Sequence, residues 1–104
     1  MSASRAVSMV VVYRVKAGRE GEFLPLLKAH WPALSRLGLA TAEPAKALRG
    51  RTKDGKTVFI ETFQWANESA PGVAHQTPEV MKIWEPMGAM LEGMDLIQVE
   101  PQAL

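Results

Sequence analysis

The chain has 104 residues, 47% of them hydrophobic and 22% charged, with a net charge of +1 and no cysteine. Such a composition fits one folded domain over residues 1–104. It is too apolar for a disordered tail, and it rules out a disulfide framework or a thiolate zinc site. No secretory leader pattern opens the chain and no apolar run approaches ~20 residues, so the sequence predicts a cytoplasmic protein with no membrane partner.

Residues 7–15, VSMVVVYRV, place Val7, Met9, Val11, Tyr13 and Val15 on one face of a strand and Ser8, Val10, Val12 and Arg14 on the other. Both faces are apolar at mid-strand, which predicts a central strand covered on two sides. A helix is expected from about residue 19 to 37, with Phe23, Leu27, Leu34 and Leu37 forming its apolar stripe, joined by Leu26 and Trp31. Pro32 removes the bond to the Lys28 carbonyl and predicts a kink around 28–32, and Gly38 is the expected C-terminal cap.

A hairpin follows. Residues 45–51 and 57–65 flank TKDGK, where Asp54-Gly55 suits a tight reversal. The second hairpin strand sets Phe59, Glu61, Phe63 and Trp65 on one face and Val58, Ile60, Thr62 and Gln64 on the other. Residues 66–76 read as a connection with room for one helical turn. Thr77-Pro78-Glu79 then reads as N-cap, first-turn proline and a carboxylate at the positive helix end. Val80, Ile83, Trp84, Met87, Met90, Leu91 and Met94 continue at helical spacing, interrupted by Pro86, and Leu96 to Val99 supplies a short last strand.

The order β-α-β-β-α-β implies a ferredoxin-like α+β fold, with a four-stranded antiparallel sheet and both helices on one face. Two helices leave the other apolar sheet face bare, and a second copy joined sheet to sheet would complete a dimeric α+β barrel. Residues 1–56 carry eleven basic and four acidic side chains, and residues 57–104 carry Lys82 and seven acids. The bases are scattered singly without interleaved aromatics, which argues against a nucleic-acid partner. Opposite charges from the two halves are instead expected to face each other.

The VVYRVKAGREGEF opening, the strand ending in Trp65, and Ala74-His75 ahead of a helix that begins at Thr-Pro resemble the dimeric α+β barrel superfamily. The resemblance covers nearly the whole chain and is most specific to antibiotic biosynthesis monooxygenase-like domains. It implies a homodimer that binds a small organic molecule between sheet and helices; some members are cofactor-free oxygenases of polycyclic phenols and some degrade haem. His75 matches the family's His in its Ala-His segment and Trp65 its strand-closing aromatic. Phe63 stands where members often carry Glu, with Glu61 two residues further back. Haem-degrading members have an Asn on the first strand and a haem-ligating His on the second helix. This chain has Tyr13 and Arg14 there and no His between 78 and 92, which disfavours haem cleavage.

His75, whose imidazole is the side-chain type suited to general-base work, is the candidate base, set against a purely structural hydrogen bond in its loop. Glu61, a carboxylate among Phe59, Phe63 and Trp65, must either meet a cation such as Arg14 or Arg49 or handle protons. Tyr13, Trp31, Trp65, Trp84, Met87 and His30 are the candidate substrate-contacting residues, because Trp offers a broad face and Met adapts to irregular shapes. Two distant histidines without carboxylates at ligand spacing predict no metal, and no cofactor is implied. The expected function is a homodimeric small-molecule domain, in one form a cofactor-independent monooxygenase-like enzyme acting on a hydrophobic aromatic or quinone-like compound. The alternative is a non-catalytic ligand-binding or structural dimer.

Overall fold

The computed structural model describes residues 5–104. Its elements are β1 (Val7–Val15), α1 (Glu20–Arg36), β2 (Lys46–Arg51), β3 (Thr57–Trp65), α2 (Ala70–His75), α3 (Pro78–Ala89) and β4 (Leu91–Val99). The strands form one sheet in the order β2-β3-β1-β4 with every neighbouring pair antiparallel. This is the expected ferredoxin-like arrangement, with β1 and β3 central and all the helices on one face.

Strand alternation decides which side chains meet the helices. Val11, Tyr13 and Val15 of β1 and Phe59, Phe63 and Trp65 of β3 are buried against Phe23, Leu27 and Leu34 of α1 and Val80 and Met87 of α3. The opposite face carries Val10, Val12, Val58, Ile60, Ile97 and Val99, and register pairs Val12 with Ile60 and Val10 with Ile97. The molecule measures 46 × 41 × 19 Å. A sheet and one helix layer, each about 10 Å thick, account for the short axis and leave that second face uncovered.

Helix α1 runs unbroken through Pro25 and Pro32. The Lys28 carbonyl that loses its partner belongs to an exposed residue, where water can replace the bond. Gly38, with φ +75°, reverses the chain one residue beyond the C-cap Leu37, and Leu39 N–H bonds back to the Leu34 carbonyl at 2.8 Å. In the hairpin turn Gly55 has φ +85° and Thr52 N–H bonds the Lys56 carbonyl at 2.9 Å.

Two boundaries differ from the sequence expectation. The last strand begins at Leu91 rather than Leu96, because α3 stops at Ala89 and the Met90 carbonyl accepts from Lys16 N–H at 2.8 Å, which ties the turn to the end of β1. Leu91 and Met94 therefore belong to β4 and not to a helical stripe. The connection after β3 folds into the short helix α2, and Thr77, at the N-cap position of α3, donates its hydroxyl back to the Val73 carbonyl at 2.7 Å and leaves the α3 amides uncapped by its side chain. Ion pairs join Arg14 to Asp95, Arg36 to Glu79 and Lys56 to Glu92, each a base from the first half of the chain with an acid from the second. Being exposed, each stabilises by roughly 0–1 kcal/mol.

Candidate functional site

A cavity of about 870 Å³ lies between the sheet and α1, α2 and α3. Met9, Val11 and Tyr13 of β1 and Phe63 and Trp65 of β3 form its floor, and Trp84 and Met87 of α3 form its roof. One flank is open. Met94 and Leu96 of the edge strand β4 face the cavity, and Leu96 is 64% exposed.

His30 sits at the inner end. It occupies a core position of α1, in the stripe Phe23, Leu27, His30, Leu34, and is only 3% exposed. Opposite it, Glu61 takes a core position of β3 and is 2% exposed. Tyr13 reaches the same point diagonally from β1, whose register sets Val11 opposite Glu61 and Tyr13 opposite Phe59. Three elements therefore deliver three polar side chains to one place.

Tyr13 donates its hydroxyl to Glu61 Oε1 at 2.6 Å, and His30 Nδ1 lies 2.9 and 3.0 Å from the two carboxylate oxygens. Trp84 Nε1 donates to His30 Nε2 at 2.9 Å. Burial, the Glu61 charge and the hydrogen bond to Glu61 push the Tyr13 phenol well above the usual range, so it remains a protonated donor. Neither Arg14 nor Arg49 pairs with Glu61, so the cation partner, one of the two alternatives the sequence left open, is not met. Arg14 is on the opposite sheet face with Asp95, and Arg49 lies over the Phe59 ring at 5.4 Å. The sheet's period of two puts Arg14 out of reach.

His75 ends α2 at the cavity rim, exposed, with its ring edge-on to Trp84 at 4.8 Å between centroids. Trp84 also meets Trp65 edge-to-face at 6.3 Å. Of the sequence candidates, Tyr13, His30, Trp65, His75, Trp84 and Met87 line this cavity, and Glu61 stands behind His30. Trp31 does not. It lies on the other flank of α1 in a smaller groove of about 300 Å³ that Lys28, Lys46 and the far side of Glu61 also line. Among the described residues no cluster of His, Cys, Asp and Glu could hold a metal ion, and no helix is long and apolar enough to cross a membrane.

No family model matches the chain, and no curated protein is similar to it. Solved structures are. A Bacteroides thetaiotaomicron protein provisionally assigned as an antibiotic biosynthesis monooxygenase superposes with a TM-score of 0.73 at 19% identity, covering 98% of this chain and 94% of that one. SnoaB, a cofactor-independent oxygenase from Streptomyces nogalater solved as a point mutant, gives 0.71 at 16% identity over 95% of each chain. The fold is that of the antibiotic biosynthesis monooxygenase-like domains. A NIPSNAP family protein from Agrobacterium tumefaciens shares it too, with a TM-score of 0.67 at 14% identity over 98% of this chain and 90% of that one. A monooxygenase-like fold thus carries more than one family name, and function must be argued from the cavity.

Proposed function

We propose that the protein is a homodimer that binds a flat, hydrophobic aromatic or quinone-like compound in the cavity and oxidises it with dioxygen, without a cofactor. The cavity carries this reading. Its volume of about 870 Å³ falls within the ~300–1,000 Å³ usual for small-molecule sites, and its apolar walls hold few, convergent polar groups. SnoaB, similar in fold, is a cofactor-independent oxygenase, and this motivates the reaction class.

Chemically, such a reaction needs an electron-rich anion of the substrate. A ring carbon that bears hydrogen and is conjugated with the ionised oxygen becomes a carbonyl, so that the phenol ends as a quinone, and the second atom of dioxygen leaves as water. The substrate supplies all the electrons, so no reductant enters. The residues' part is to orient the ring between Trp65, Trp84 and Met87, exclude water and take a proton on an imidazole.

The bare sheet face supports the dimer. Four strands of up to nine residues present roughly 500–600 Å² of flat surface, at the lower end of the ~600–1,000 Å² per partner of a stable interface. A second reading, a ligand-binding dimer without turnover, is favoured by one observation: Trp84 already occupies His30 Nε2. Oxygen uptake with a panel of polycyclic phenols that keep a hydrogen para to the hydroxyl, without added flavin, nicotinamide or metal, separates the two. Uptake matched to carbonyl product is expected; tight binding with no uptake across the panel would leave the non-catalytic reading standing.

A further inference from the structure

The network at the inner end of the cavity fixes its own protonation. An indole N–H can only donate, so the 2.9 Å bond from Trp84 makes His30 Nε2 an acceptor. The imidazole proton therefore sits on Nδ1 and is donated to Glu61. Tyr13 donates to the same carboxylate, which is thus an ionised acceptor. Among the described residues no Lys or Arg pairs with it. One negative charge is accordingly buried against a neutral ring, an arrangement that is costly without a counter-charge. A proton arriving at Nε2 would supply that counter-charge, turning the pair into imidazolium and carboxylate. Only the Trp84 N–H stands in its way.

We infer that Trp84 N–H holds the place of a ligand hydroxyl: Glu61 and His30 form the proton acceptor of the cavity, and the ligand is a phenol or enol whose O–H displaces the indole and protonates Nε2. This deepens the cavity-binding reading given above and rests on it. In the step the ligand O–H bond breaks, Nε2–H forms and the electron pair stays on the ligand oxygen, with nothing oxidised or reduced. Glu61 orients the ring and balances the imidazolium, and Tyr13 stays bonded to Glu61 throughout.

The packing indicates which member yields. His30, Glu61 and Tyr13 are all buried on α1, β3 and β1, whereas Trp84 is half-buried on α3. The other titratable groups facing the cavity are His75, Glu68 and Glu85, all exposed at the rim. The two rim carboxylates disfavour an anion at the mouth, so the ionised oxygen is best placed at the inner end beside His30.

The test uses umbelliferone, a flat phenol whose neutral and anionic forms absorb differently, and its methyl ether, which has the shape but no proton. At a pH where free umbelliferone is neutral, the bound compound is expected to show the anion band. Glu61→Gln should lose that band, whereas His75→Ala should weaken both compounds alike and keep it. Trp84→Phe removes the competing N–H and should tighten umbelliferone roughly five- to tenfold relative to the methyl ether, as expected for loss of one hydrogen bond of about 1 kcal/mol. If Glu61→Gln fails to fold by circular dichroism, the Trp84→Phe and His75→Ala comparisons decide alone. A bound neutral phenol, a band lost with His75→Ala, or Trp84→Phe weakening both compounds equally would overturn the inference while leaving cavity binding intact. If neither compound binds, both readings fall.

Discussion

His30 and Glu61 each stand where their own element's periodicity calls for an apolar side chain, His30 in the α1 stripe and Glu61 in the β3 alternation. Both anomalies are visible in the sequence, yet their partnership is not, because it depends on how α1 lies across the sheet. The signal that would have joined them is that both positions face the same layer boundary. An ionisable group in the core of one element calls for a partner in the core of the element packed on it, not among exposed bases such as Arg14. Tyr13, the chain's single tyrosine, makes the network directly observable. Its phenol is held above the ordinary value of about 10 by burial first, then by the Glu61 charge and their hydrogen bond. Because the folded-state value is raised, the stabilisation is fully present below about pH 10 and is lost as pH rises beyond it. In an alkaline titration the tyrosinate absorbance should therefore appear together with loss of far-ultraviolet circular dichroism, as one cooperative step. A smooth titration near pH 10 with the fold intact would show that the Tyr13 to Glu61 bond is absent in solution.

At the scale of elements, what could be read in the sequence followed the strength of local chemistry. β1, β3 and the hairpin carry clean alternation and an Asp-Gly turn, and each lies where the pattern puts it. The start of β4 was hidden because Met87, Met90, Leu91 and Met94 keep helical spacing across a boundary that only the Met90 carbonyl bond to β1 defines. Helix α2 is six residues, too short for a periodicity to show. The hairpin turn gives a local test. Gly55 has φ +85° with open space around its Cα, so Gly55→Ala should cost about 1 kcal/mol through backbone strain alone. The urea midpoint should fall, while ligand binding in the distant cavity should be unchanged. An unaltered midpoint would mean that the turn relaxes to a conformation any residue can adopt.

For the whole molecule, the asymmetry between the two sheet faces governs assembly. Ile60 lies near the middle of the helix-free face, flanked by Val12 and Leu48 on the neighbouring strands, and Leu48 is 63% exposed in the single chain. Light scattering of the unmodified protein is expected to give twice the 11.4 kDa chain mass. Ile60→Glu, which would place an unpaired carboxylate in a closed apolar interface, should return it to the single-chain mass. Its cavity should still bind, since the side chain points away from it. A single-chain mass for the unmodified protein would leave the bare face without the partner proposed for it.

Strands β1 and β3 contribute to both surfaces at once. Odd-numbered positions from Met9 to Tyr13 and from Phe59 to Trp65 look toward the helices and the chamber beneath them, and the even-numbered ones between them look outward. The two tasks share one backbone and divide its side chains by parity. A designer can retune what the chamber admits by editing one parity class and rewrite self-recognition by editing the other.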